Sequence, residues 1–429
     1  MKKISFIVIG AGNRGAKYSR YAISNPDKME IVGVAEPIRS RREAMREQFH
    51  IPEENCFSDW SEILARPKMA DAAIISTQDQ MHYEPAMRAI ELGYHLLLEK
   101  PMSHRPEECV AIAKAAEEKG VHVIIGHVLR YAPFFTALRR IIESGRIGKV
   151  VNIDHVEGVG DIHYSHSFVR GSWRREEDSA PMLLAKSCHD FDLLQWLIDK
   201  NFTRVQSFGS QTHFCKASKP EGAPKRCIEG CPHGKTCVYN AVKRYYDDKQ
   251  NAWFRNAATM NPEFDYIATD EEVVRALRET PYGYCVYDSD NTVVDHQTVN
   301  MEFEGGVLAT FTMSPFNRGG RKIHVMGTEG EVYGDAGVGD LTIFTYRDRK
   351  TVVEKSSDMV QDESILGGHG GGDSRMIKAL CELIATGETS VSYCSAMTSA
   401  RNHLAVFAAE ESRHTGTVVD VTEYEKRFL

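Results

Sequence analysis

Residues 4–15 read ISFIVIGAGNRG, a short run that is apolar except for Ser5 and leads directly into GAGNRG at 10–15. An apolar run with no polar alternation suits a strand covered on both faces, as in a parallel sheet. The hexapeptide fits G-x-G-x-x-G at the junction of that strand with a helix. Gly10 permits the tight turn, Gly12 lets the backbone approach a pyrophosphate, and Gly15 lets the helix lie close to the sheet. Asn13 and Arg14 sit where the helix N–H groups face the anion. The next apolar run, EIVGVA (30–35), ends at Glu36, a carboxylate placed to bind ribose hydroxyls and repel a 2′-phosphate. The stretch is therefore read as a site for NAD rather than NADP. Arg39, Arg41 and Arg42 follow closely and are the residues an NADP reading would use.

Working outward, AAIIS (72–76), YHLLL (94–98) and VHVIIG (121–126) repeat the apolar pattern, with helical stretches such as PEECVAIAKAAEEKG (106–120) between them. This alternation predicts an α/β fold, a Rossmann-type doubly wound parallel sheet over residues 1–127. After PFFTALRRIIESG (133–145) the texture changes. Alternating segments such as GGVLATFTM (305–313), RKIHVMG (321–327) and DLTIFTY (340–346) predict a C-terminal α+β domain, 128–429, with a large open, mostly antiparallel sheet. An insertion rich in Lys, Pro, Cys and Tyr spans about 214–290, and two helices, Ser374 to Ala385 and about Ser395 to His414, close the chain.

The bulk numbers bound the function. With 429 residues, 42% hydrophobic and 26% charged, the chain reads as globular with two or three domains. A net charge of -8 leaves no basic footprint for nucleic acid or anionic membrane, so a small-molecule partner is expected. The N-terminal MKKISFIVI imitates a signal peptide, but glycines cut its apolar run short and no cleavage site follows. A cytoplasmic protein with mostly reduced cysteines is the expectation.

In LLLEKPMSH (96–104), Glu99, Lys100 and Pro101 follow a strand end, which in a doubly wound sheet faces the ligand crevice. Lys100 can there bond a substrate hydroxyl and favour its alkoxide. GAGNRG with Glu36, STQDQMHYEPAMRAIELGYHLLLEKPMS (76–103) and GHVLRYAPFFTALRRIIESGRIGKV (126–150) together resemble the glucose-fructose oxidoreductase, inositol dehydrogenase and rhizopine catabolism (Gfo/Idh/MocA) family. The likeness continues through GTEGEVYGD (327–335) to AAEESRHTGTVV (408–419). It implies a Rossmann domain joined to a C-terminal domain whose open sheet supports the substrate site and an oligomer interface, in a dimer or tetramer. It also implies cofactor contacts at Thr77 and His82, a nicotinamide pocket lined by Glu99 and Lys100, and His127 and Arg130 near the nicotinamide ribose or substrate.

The family's segment corresponding to PMLLAKSCHDFDLL (181–194) carries an Asp four residues before a His that takes the hydroxyl proton. Here the His is His189, Ala185 stands in place of the Asp, and Lys186 is next to it. A helix from about Lys186 would put Lys186 and His189 on one face, with Asp192 placed to orient the imidazole. Lys186 near Lys100 would lower both ammonium pKa values. Upstream, DIHYSHSFVRGSWRREE (161–177) concentrates His163, Tyr164, His166, Arg170, Trp173 and Arg174. Aromatic faces with directional donors suit a polyhydroxylated ligand, and Tyr131 joins this substrate set.

Cys215, Cys227, Cys231 and Cys237 cluster in the insertion with intervals of eleven, three and five residues. Clustered thiols in a reducing compartment suggest a structural zinc or an iron-sulfur cluster, although the spacing is not the usual zinc pair.

The reading is an NAD-dependent oxidoreductase acting on a hydroxyl of a sugar, sugar derivative, cyclitol or glycoside. A redox-neutral glycoside hydrolase, using NAD transiently for oxidation, elimination, hydration and reduction, is the first alternative. A non-enzymatic NAD-binding regulator is the second. Glu36 generates one expectation: calorimetry will show tighter binding of NAD than of NADP, and Glu36→Ala will narrow the difference. Equal affinities for the unaltered protein would refute the assignment.

Overall fold

The apolar runs before residue 127 form one sheet. The computed structural model describes residues 2–259, 267–360 and 371–429. In it, β1 (Ile4–Ile9), β2 (Met29–Ala35), β3 (Cys56–Phe57), β4 (Ala72–Ile75), β5 (His95–Leu98) and β6 (Val123–Ile125) lie in the order β3-β2-β1-β4-β5-β6. Every pair is parallel. The two faces of β1 feed separate cores, Ile4, Phe6 and Val8 on one side and Ile7 and Ile9 on the other, which is why this strand has almost no polar positions. The chain winds outward from β1 to β3 and then returns to β4, so the order reverses beside Gly10. At that switch point Ser76 Oγ donates to the Gly10 carbonyl at 2.7 Å.

The second sheet has nine strands: β7 (Val150–Gly158), β8 (Phe202–Ser210), β9 (His296–Phe303), β10 (Leu308–Ser314), β11 (Gly320–Gly327), β12 (Gly330–Asp335), β13 (Asp340–Thr345), β14 (Lys350–Lys355) and β15 (Val419–Asp420). Their order is β14-β13-β12-β11-β7-β10-β9-β8-β15, antiparallel except for the parallel pair β7–β10. One face is covered and the other is open, with Phe208, Leu308 and Tyr333 exposed on it. On β7 the covered positions are Ile153, His155 and Glu157, so the strand carries two ionisable side chains into the interior.

The C-terminal helices tie the sheets together. Ala396–Thr415 packs on both the helix Pro106–Lys119 and β8. His403 Nε2 on that helix accepts the Met102 N–H at 3.0 Å. Arg14 makes two bonds to Asp373, on the helix Gly372–Thr386, at 2.7 and 3.1 Å. Among the described residues no helix is long and apolar enough to cross a membrane.

Within the segment 181–198 the helix expected from about Lys186 begins at Cys188, with a short helix before it. Met182–Ala185 and Cys188–Ile198 are separate helices, with Lys186 and Ser187 between them. Asp192 does not orient His189. It receives Arg130 Nε at 2.6 Å and Nη2 at 2.7 Å, with Asn402 donating at 2.8 Å, all in the interior. The Arg130 guanidinium is the reason: a buried carboxylate pairs with the strongest bidentate donor within reach.

Burial pushes the Asp192 carboxyl upward, but Arg130 and His127 outweigh it and hold the group below its ordinary value. Its folded pKa is thus below the unfolded one, so its stabilising contribution is present above the unfolded value of about 4 and is lost as pH falls through the folded value. Asp192→Asn leaves Arg130 uncompensated and is expected to cost about 3–5 kcal/mol at pH 7. Urea denaturation should show that cost, and the gap to the unaltered protein should shrink in acid.

Candidate functional site

The glycine loop leaves space where an anion would lie. Gly10 has φ +87, and a Cβ on it would stand 2.6 Å from the Ser76 carbonyl, so only glycine fits the turn. Above Gly12 the nearest atom to such a Cβ is Arg41 Nη1 at 3.8 Å. Asn13 Oδ1 is buried without a hydrogen-bond partner and Asn13 lines the adjoining cavity. A dinucleotide fits this arrangement: its pyrophosphate would occupy the free space over Gly12. Glu36 is already engaged, accepting the Ala11 N–H at 2.7 Å and the Ile38 N–H at 3.0 Å, so it braces the loop as well as bordering it.

From the loop a cavity of about 380 Å³ extends between the two sheets. Asn13, Arg14, Thr77, His82, Glu99, Lys100, His163, Trp173, Lys186 and His189, ten of the expected residues, line it together. His82 is buried and holds the turn after β5 from behind, with Nδ1 2.7 Å from the Pro101 carbonyl oxygen and Nε2 3.3 Å from that of Thr77. Glu99 accepts from Arg14 Nε at 2.6 Å, the Tyr18 hydroxyl at 2.5 Å and the Lys100 N–H at 3.0 Å. Burial raises its pKa, yet Arg14 and Lys100 prevail and keep it a carboxylate. Lys100 Nζ crosses to the second half of the chain and donates to the Ala185 carbonyl at 2.5 Å. Ala185 therefore still has a role through its backbone, at the position where the family's Asp was expected.

Beyond Lys100 lies a buried charge network. Lys186 Nζ is 3.3 Å from Glu157 Oε1, and Arg321 Nε stands 2.8 Å from Glu157 Oε2. Arg321 also donates twice to Asp190, at 2.7 and 3.1 Å, and His155 Nε2 meets the same carboxylate at 2.7 Å. Burial depresses the Lys186 pKa, aided by the positive charges of Arg321 and Lys100, while Glu157 opposes the shift. His163 is driven down to about 2, first by burial and then by Lys186, so its imidazole is neutral. His189 joins the same wall, with its ring edge-on to that of His127 at 6.0 Å.

The other expected contacts lie elsewhere. Arg130 and Tyr131 are buried outside the cavity lining, Arg130 in its pair with Asp192. His127 is buried with Nε2 2.7 Å from Ser399 Oγ. His166 packs among Tyr245, Trp253, Phe254 and Tyr282 and bonds the Tyr245 hydroxyl at 2.9 Å. Arg170 pins the insertion through the Tyr284 and Tyr239 carbonyls, both at 2.8 Å. Arg174 pairs with Asp290. A turn of π-helix over Ser165–Arg170 explains the split, because it turns His166 and Arg170 away while Ser167 and Phe168 reach the cavity.

Sequence reasoning missed Asp79, Trp253 and Arg321. Asp79 accepts from Trp173 Nε1 at 3.0 Å and Ser179 Oγ at 2.8 Å, fixing the indole on the cavity wall. Trp253 reaches the cavity from the insertion and Arg321 from the start of β11. Only Asp79, two residues after Thr77 at a strand end, carried a local signal.

The expected cysteine site is not assembled as foreseen. Cys215 bonds the Thr212 carbonyl and faces Ser218, whereas Cys227, Cys231 and Cys237 line a different cavity, one that Cys215 does not reach. All ten cysteines are free thiols, and among the described residues no three His, Cys, Asp or Glu side chains form a closed metal-binding group. Residues 260–266 of the insertion lie outside the described residues.

Comparison with known proteins agrees with the two-sheet architecture. The family model for oxidoreductases with an NAD-binding Rossmann fold matches residues 4–127, and that for the oxidoreductase C-terminal alpha/beta domain matches residues 139–421. The oxidoreductase YteT of Bacillus subtilis (strain 168) is 22% identical over 365 residues, covering 82% of each chain. The 2,7-anhydro-N-acetylneuraminate hydratase of Escherichia coli (strain K12) is 27% identical, covering 46% of this chain and 50% of its own length. A scyllo-inositol 2-dehydrogenase (NAD(+)) of Bacillus subtilis (strain 168) is 26% identical, covering 47% and 56%. These last two matches thus span about half of each relative. A levoglucosan dehydrogenase solved with NADH and levoglucosan superposes with a TM-score of 0.71 over 98% of this chain and 99% of its own, at 18% identity, a likeness of fold.

The two loop glycines should respond differently to substitution. Gly12→Ala has room in the folded chain, so melting temperature should change little while NAD affinity by calorimetry falls at least tenfold, or about 1.4 kcal/mol. Gly10→Ala meets backbone at a positive φ and should lower the melting temperature itself.

Proposed function

Because the chain belongs to the oxidoreductase family that joins an NAD-binding Rossmann fold to a C-terminal α/β domain, we propose that it moves hydride between a nicotinamide and the hydroxyl-bearing carbon of a carbohydrate-like substrate. One observation carries this reading. Lys100, His163, Lys186 and His189 line the same cavity as Asn13 and Arg14 of the glycine loop. Residues 1–127 would hold the cofactor and 128–429 the substrate. The open face of the nine-stranded sheet would support a homo-oligomer, as the resemblance implies.

When bound, NAD accepts the hydride. The chain's own residues would handle the proton and the charge. His189 takes the hydroxyl proton, since it lines the cavity beside Lys100 and stands where the resemblance puts the proton acceptor. Lys100, anchored on the Ala185 carbonyl, directs a remaining N–H toward the substrate oxygen and stabilises the developing alkoxide. Lys186, with its lowered pKa, would take the place of the missing Asp as a second proton-handling group. Trp173, Phe168 and Trp253 offer flat apolar faces for the C–H side of a sugar ring.

The redox-neutral hydrolase remains the second reading. It is favoured by a second amine in the cavity beside Lys100 and His189, that of Lys186, whose pKa burial lowers. Such a reaction needs a base for the C–H beside the oxidised carbon.

A panel of cyclitols, anhydrosugars and glycosides, followed by NADH absorbance, distinguishes the two. Net NADH formation supports the dehydrogenase, and aglycone release without NADH supports the hydrolase. In either case His189→Ala and Lys100→Ala should lower turnover on the order of a hundredfold with NAD affinity nearly unchanged. Full turnover in His189→Ala would overturn the assignment. Near-normal activity in Lys186→Ala would restrict that lysine to the charge network.

A further inference from the structure

We propose that Cys227, Cys231, Cys237 and Cys285 bind one structural zinc ion, which staples the insertion to the body of the protein. Cys285 was not part of the sequence cluster, and Cys215 drops out of it. The four thiols and His233 line one cavity of about 250 Å³, separate from the cavity that holds Lys100 and His189.

Backbone pairing brings the ligands together. An isolated antiparallel bridge joins Arg226 to Tyr284. On either side of it the Cys227 N–H donates to the Gly283 carbonyl at 2.9 Å and the Cys285 N–H to the Lys225 carbonyl at 2.8 Å. Turns hold the other two, with the Gly234 N–H on the Cys231 carbonyl at 3.0 Å and the Cys237 N–H on that of His233 at 2.9 Å. The sulfurs line the cavity without yet meeting at one point, and an ion with Zn–S bonds of about 2.3 Å would draw them inward.

Arg170 supplies an independent argument. Only 2% exposed, it makes no ion pair with a carboxylate among the described residues. Beyond carbonyl and hydroxyl partners, its Nη2 faces Cys227 Sγ at 3.9 Å. A buried guanidinium without a counter-charge is costly. Four thiolates around one Zn²⁺ carry a net charge of about −2, which compensates Arg170. Among the described residues the insertion's own cluster has seven buried hydrophobic members, a small core that such a staple would reinforce.

The test uses the full chain without a histidine tag. Elemental analysis should find about one zinc per chain in the unaltered protein and in Cys215→Ser, and less than about a tenth of that in Cys285→Ser, since removing one of four ligands opens a closed structural site. Should Cys285→Ser fail to fold, the unaltered chain is stripped and refilled with cobalt(II). The intense thiolate charge-transfer and tetrahedral d–d bands of cobalt are then expected. Four outcomes each overturn the proposal: substoichiometric zinc that added zinc sulfate does not restore, iron in its place, disulfides among these cysteines in freshly isolated protein, or equal loss of zinc in Cys215→Ser and Cys285→Ser. NAD affinity should be unchanged by stripping, so this result stands apart from the hydride chemistry.

Discussion

One wall of the cavity rests on the compensation of four buried charges. Lys186 and Arg321 share Glu157, and Arg321 also bridges to Asp190, which in turn holds His155. None of these groups can be left alone in the interior at acceptable cost. Because the carboxylates come from β7 and the helix Cys188–Ile198, and the arginine from β11, the pairing sets where that helix sits on the sheet. His189, one residue from Asp190, is thereby placed at the cavity wall.

The same principle operates at two further seams. Arg130 with Asp192 packs the chain after β6 against the Cys188–Ile198 helix, and Arg14 ties the glycine loop both to Glu99 and to the Gly372–Thr386 helix. Charged residues that read like ligand contacts therefore act as the internal fasteners of a site assembled between two sheets. Arg170, among the described residues, has carbonyl partners in place of a carboxylate, and that draws attention to the thiols beside it.

Much of the chemistry resides in a few bonds that the two halves of the chain make to each other. Lys100 reaches from β5 to the Ala185 carbonyl, and Trp173 reaches back to Asp79 after β4. Trp253 adds a wall from the insertion.

Local pattern was sufficient for the first sheet. Unbroken apolar runs require burial on both faces, and a strand followed by glycines and a helix has few other folds, so GAGNRG, Glu36 and Lys100 were legible from residues 4–104. The mostly antiparallel second sheet followed from period-two alternation, but the parallel β7–β10 pair did not, since pairing partners leave no local mark. What the tertiary structure decided was which polar residues face the cavity. His163, in the short helix Asp161–Tyr164, lines the cavity, while His166, three residues on in the turn of π-helix, packs into an aromatic cage. Likewise Arg130 and Asp192, 62 positions apart, neutralise each other, and Cys285 joins Cys227 through a single backbone bridge. Burial and pairing are properties of distance in space, and spacing along the chain does not contain them.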